Sequence, residues 1–213
     1  MSPEEFAARV PRLYHVTDRE AWPLIERHGL LSARSLIERF APPQARPALG
    51  RTRRTEPLTL HEGRDGRATL NDNRPLHFAN LAPVLDDGLT PETWLELLNG
   101  RVFFWPRLDR GAGFLRAGRR GGRRKLLLTF DAVALVRAHY ERIDIAPINT
   151  GSATRRPAPR GHAIFTPIAE TTWDAWRSAR APLKRTPDTV AEVSVRGDVR
   201  DAAAHLACDP EPI

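Results

Sequence analysis

The apolar residues of this chain fall in short runs cut apart by proline, glycine and arginine, and that punctuation limits what it can fold into. Among 213 residues there are 19 prolines and 14 glycines, and runs such as Leu126-Leu127-Leu128 end within a few positions. A membrane helix needs roughly 20 consecutive apolar residues, so none is expected. The regular alternation of strand and long helix that builds a doubly wound parallel sheet is also absent. What remains is α+β, many short strands with scattered helices. The length suits a single domain, and 41% hydrophobic with 28% charged residues is ordinary for a folded one. No apolar stretch follows Met1, so no secretory signal is expected and the protein is read as cytoplasmic, with no membrane partner. Cys208 is the single cysteine, which excludes an internal disulfide and a cysteine-based zinc site.

Local signals place the elements. Residues 1–10 read as a short helix and Leu13-Tyr14-His15-Val16-Thr17 as a strand. Thr17 with Glu20 forms a capping box for a helix carrying Pro23 in its first turn and stopped by Gly29. Residues 32–99 read as an insertion containing a hairpin about Asp65-Gly66 and a helix opened by Thr90-Pro91 and closed by Asn99-Gly100. Arg101 to Trp105 and Leu126 to Phe130 follow as buried strands, with Asp131 capping a helix to His139. Residues 142–148 are extended, Ala163-Ile164-Phe165 is expected as a strand, and Trp173 to Trp176 as a brief helix. Thr189 to Val195 reads as a strand and Asp198 to Ala207 as a last helix.

The formal net charge is +7, and all but Lys125 and Lys184 of the 33 cations are arginine. Such an excess suits a polyanionic partner, DNA, RNA or a nucleotide, with Arg51 to Arg54 and Arg119 to Lys125 as its densest clusters. It is equally what a GC-rich genome writes. The seven histidines form no ligand-like spacing, so no metal is expected. Nucleotide-loop, dinucleotide-loop and nucleophile-elbow motifs are missing.

Three features can carry chemistry. His15 sits within a strand, where an imidazole can bond a sugar hydroxyl or a neighbouring backbone. Phe103, Phe104 and Trp105 form an aromatic strand able to frame a flat ring or fill a core. Glu192 is the one acid of an apolar strand, costly if buried without partners, and it follows a basic irregular segment from Arg177 to Asp188.

In this order the segments resemble the ADP-ribosyltransferase superfamily, most closely its DarT-like DNA-modifying members. The matching stretches are Leu13 to Thr17, His28-Gly29-Leu30-Leu31 and Val190-Ala191-Glu192-Val193-Ser194-Val195. The whole chain also resembles an uncharacterised bacterial family, through Leu98 to Trp105 and Pro147-Ile148-Asn149-Thr150-Gly151. The first resemblance implies a split β-sheet core and an NAD-dependent transferase acting on a nucleic-acid or nucleotide acceptor. It implies that NAD is the co-substrate, with His15 on the adenosine ribose and Glu192 catalytic on the nicotinamide ribose, stabilising an oxocarbenium-like state as the glycosidic bond breaks. Thr17, Phe103, Phe104, Trp105, Asn149 and Arg160 would complete the NAD site. A catalytic arginine is also implied; Arg51, Arg53 and Arg54 are candidates, Arg54 being the one taken, and Arg160 is a second contender. An RNA 2′-phosphotransferase, an NAD glycohydrolase of the same fold and a non-catalytic nucleic-acid-binding protein are the alternatives.

Overall fold

The computed structural model describes residues 1–71, 76–108, 124–154, 156–180 and 190–213. Much of the Arg119 to Lys125 cluster, and most of the basic segment before Glu192, therefore lie outside the described residues. The chain is α+β. In order, the elements are α1 (Pro3–Ala7), β1 (Arg12–Asp18), α2 (Trp22–His28), α3 (Ala33–Phe40), α4 (Arg46–Arg51), β2 (Leu58–Gly63) and β3 (Gly66–Leu70). They continue as α5 (Phe78–Leu81), α6 (Pro91–Asn99), β4 (Arg101–Phe104), β5 (Lys125–Asp131), α7 (Ala132–Ala138) and β6 (Ile143–Ala146). β7 (Thr166–Pro167), α8 (Trp173–Arg180), β8 (Glu192–Arg196) and β9 (Glu211–Pro212) complete them.

Two antiparallel sheets carry the architecture. One runs β1-β5-β9 and the other β4-β8-β6-β7, with β2-β3 a separate hairpin. The sheets meet at one seam, where Tyr14 and Trp105 exchange both backbone hydrogen bonds, at 2.9 and 2.8 Å. The alternation of strand side chains then decides which side of β4-β8-β6 is which. Val102, Phe104, Ile143, Ile145, Val193 and Val195 bury together with Leu13, Leu128, Phe130 and Trp176 in the main core. Phe103 faces the other way, against a second core built from Leu81, Trp94, Leu95, Leu98, Ile164 and Phe165. The expected insertion thus supplies α5 and α6 to a layer behind the four-stranded sheet, while its hairpin packs through Leu70 on Ile37 of α3 and on Ala41 just after it.

Several local expectations hold in detail. Gly66 turns the β2-β3 hairpin at φ +110°. Thr90 and Thr93 cap α6 reciprocally, and Asp131 accepts from the Ala134 N–H at 3.0 Å to start α7. Gly29 ends α2 at φ +75°, where a Cβ would lie 2.3 Å from the Val199 carbonyl oxygen. That close approach lets Leu30 and Val199 exchange backbone hydrogen bonds at 2.9 Å.

Three local expectations are corrected. Thr17 does not cap a helix: it stays in β1 opposite Leu126, and α2 begins after a 3₁₀ turn at Arg19–Ala21 with no side-chain cap. Residues 162–164 form a 3₁₀ turn rather than a strand, because Ile164 and Phe165 both bury in the second core and alternation cannot place neighbours on one side. The expected last helix reduces to a 3₁₀ turn at Ala202–His205, its first residues being drawn into the pairing with Leu30.

Candidate active site around Glu192

Glu192 opens β8, the strand between β4 and β6, and pairs with Ala146. It shares a face with Ser194 and lies under the turn that follows β6. That turn closes with the Ser152 N–H donating to the Asn149 carbonyl at 3.2 Å, which sets Thr150 over the carboxylate. The Thr150 N–H donates to Glu192 Oε2 at 3.2 Å, and the Thr150 hydroxyl donates to the same oxygen. Glu192 is only 6% exposed and Thr150 is fully buried. Burial raises the Glu192 pKa to about 7, against the Thr150 hydrogen bonds and the charges of Arg101 and Arg160, which pull it down without winning. The carboxyl is thus poised to change protonation near neutral pH.

Arg160 is buried beside the same turn and holds it. Its Nη1 donates to the carbonyls of Thr150 at 3.2 Å and Ser152 at 2.8 Å, and its Nε to Ala158 at 3.1 Å. Next to Glu192 on the sheet, Asp144 takes two cations. Arg196 Nη1 lies 2.6 Å from one carboxylate oxygen, and Arg101 Nη1 bonds the other and also donates to Ser194 Oγ at 3.2 Å. The Arg101 guanidinium sits 4.0 Å from the centre of the Phe165 ring. Three arginines against two carboxylates leave this face cationic when both acids are ionised.

His15 lies one strand away. Its Nδ1 is 2.9 Å from the Phe103 carbonyl, which can only accept, so Nδ1 carries the proton and Nε2 keeps a lone pair. Burial lowers its pKa, partly opposed by that hydrogen bond, and keeps the ring neutral. Because Tyr14 opposes Trp105, His15 turns to the side of Phe104, whose ring centre is 5.9 Å away. His15 and Glu192 therefore stand on the two strands flanking β4, near its end at Trp105, but leave the sheet on opposite sides.

The other expected positions are spread. Thr17 lies two residues further along β1. Phe104 is a core residue, fully buried and edge-on to Phe130 at 5.2 Å. Phe103 belongs to the second core, Trp105 to the seam, and Asn149 to the turn carrying Thr150. Arg54 donates to the Leu49 carbonyl at 2.7 Å, bracing the end of α4. The cations acting on Glu192 are Arg160, one of the arginines weighed from sequence, and Arg101, which was not. Arg101 opens the aromatic strand two residues before Phe103, and that same-face spacing was the signal available.

A second cluster escaped the sequence entirely. His139, Asp201 and His205 place three ligand-type atoms within 4.8 Å of one another. However, Arg142 Nη2 lies 2.7 Å from His139 Nδ1, and a guanidinium can only donate. His139 therefore carries its proton on Nε2, 2.9 Å from Asp201, where a metal would need a lone pair. The group is better built to tie α7 to the segment after β8 than to hold an ion.

Among the described residues no helix is long and apolar enough to cross a membrane. Residues 11–206 match the profile of a family of unknown function, DUF7002. No curated protein and no solved structure matches the chain.

Proposed function

We propose that this chain, which belongs to DUF7002, is an NAD-dependent ADP-ribosyltransferase that modifies a nucleic-acid or nucleotide acceptor. The observation that carries the reading is Glu192, a buried carboxyl with a pKa near 7 at the end of a strand beside the seam of two sheets. In spatial order the strands run β6-β8-β4 in one sheet and β1-β5-β9 in the other, an arrangement that suits the split core of that superfamily.

In this reading NAD lies beside Trp105 at the end of β4, between the strands that carry His15 and Glu192. His15 offers its Nε2 lone pair to an adenosine ribose hydroxyl. Glu192, ionised, accepts from a hydroxyl of the nicotinamide ribose, and this contact strengthens as the ring takes on oxocarbenium character. The Thr150 turn covers Glu192 and must lift for that contact to form. Arg101 and Arg160 keep the carboxylate's surroundings cationic, favouring its ionised form and the diphosphate of the co-substrate.

The same burial favours a second reading. A carboxylate with two donors on one oxygen and 6% exposure is also a satisfied structural group, and the protein would then bind nucleic acid without catalysis. Transfer of label from adenine-labelled NAD to DNA, RNA or lysate decides between them. Label in one fraction with wild type, reduced at least about 100-fold by Glu192→Gln, supports the transferase. No consumption of NAD by wild type overturns it and leaves the structural reading.

A further inference from the structure

Most of the Arg51-Thr52-Arg53-Arg54 run borders a cleft. After α4 ends at Arg51 the chain turns extended at Thr52, and Arg51, Thr52 and Arg53 form one wall of a cleft of about 520 Å³. His77, Phe78 and Ala79, at the start of α5, and Glu92 of α6 line the same cleft. The volume is that of a small-ligand site. Two arginines, a phenylalanine and a histidine line it together, with a single acid among the lining residues.

The walls are fixed rather than loose. Asn99 of α6 donates to the Gly50 carbonyl at 2.9 Å, and Arg51 Nε donates to Glu96 at 2.7 Å while 60% of the Arg51 side chain remains exposed. Glu96 raises the Arg51 pKa further, so its charge is permanent. Phe78 packs its inner side on the second core, which leaves the ring half-buried at the cleft. The α5 segment is also tied to the turn over Glu192: Leu76 bridges Ala153, and Asn80 Nδ2 donates to the Ala153 carbonyl at 3.3 Å. Two residues separate Ala153 from the Thr150 that caps Glu192.

We propose that this cleft binds one nucleotide unit, its phosphate on Arg51 and Arg53 and its base against Phe78. The pairing of guanidinium donors with an aromatic face is what a nucleotide needs and what a bare phosphate or an acidic peptide does not use. The unit can come from a free nucleotide or from a single strand. Binding here requires no NAD turnover, so the proposal stands apart from the transferase reading.

Fluorescence anisotropy with a labelled single-stranded oligonucleotide, with AMP titrated by calorimetry in parallel, tests it at two salt concentrations. Exchanging Arg51 and Arg53 together for alanine should weaken binding about 10-fold or more and lower the salt slope by about two. Phe78→Leu, which keeps the packing on the second core, should weaken binding about 5- to 100-fold with the salt slope unchanged, and Phe78→Tyr should restore it. AMP binding with the same variant pattern assigns the site to free nucleotides, and oligonucleotide binding alone assigns it to strands. If neither probe binds, or if the arginine and Phe78 variants bind as wild type with unchanged thermal midpoints, the cleft is not a nucleotide site.

Discussion

At Glu192 desolvation and hydrogen bonding act in opposite senses on one carboxyl, and desolvation dominates. With a folded pKa near 7 above an ordinary value of 4.5, the protonated form is the one folding favours. Its contribution to stability is complete below about pH 4.5 and is lost as pH rises through 7. Glu192→Gln removes that dependence. Relative to the variant, wild type should lose up to about 3 kcal/mol across this window, read from urea unfolding at a series of pH values. Thr150→Val deletes the hydroxyl donor but keeps the backbone N–H, so the Glu192 titration followed by carboxyl carbon NMR should move further upward. A downward shift would remove Thr150 from the account. Of these residues the sequence made Glu192 legible, because an acid inside an apolar strand is conspicuous. It could not make Thr150 or the bracing role of Arg160 legible, since both depend on how a loop folds back over a sheet.

The helices and turns respond to single positions whose signals are local. Thr90→Ala removes the hydroxyl that accepts from the Thr93 N–H, while the Thr90 N–H still donates to Thr93 Oγ1, and should cost about 1 kcal/mol in chemical denaturation. Gly29→Ala meets a different obstacle, a positive φ and a Cβ 2.3 Å from the Val199 carbonyl, and should cost about 1–3 kcal/mol or prevent the Leu30–Val199 pairing altogether. A Gly29→Ala variant as stable as wild type would show that the chain has another way through this corner. These same elements explain what could be read beforehand. Caps, the Asp65-Gly66 turn and the glycine stop are written in neighbouring residues, and they appear where expected. The Thr17–Glu20 cap and the strand at Ala163 to Phe165 failed because tertiary partners overrode short motifs: β5 claims Thr17, and the second core claims Ile164 and Phe165 together.

Across the whole molecule, two cores share one sheet between them, and Trp94 is the largest buried side chain of the second. Its Nε1 also donates to the Thr150 carbonyl at 3.4 Å, linking α6 to the turn over Glu192. Trp94→Ala should therefore cost about 3–5 kcal/mol in global unfolding and make the Glu192 carboxyl more solvated, visible as a lowered pKa. A Glu192 titration left unchanged would show that the turn stands without α6. The strand order has one more consequence, and it concerns time. β4 is complete by residue 104, yet its ladder partner is β8, at residues 192–196, and β6 flanks that same strand. A growing chain must carry Val102 and Phe104 past the ribosome exit with no ladder to join until β8 is made. Closure of the four-stranded sheet then spans some of the longest loops in the molecule, and such closure is slow. During that interval a sticky, half-built edge is offered to every other chain in the vicinity, so yield in the cell should depend on chaperone supply more than on the strength of the finished fold.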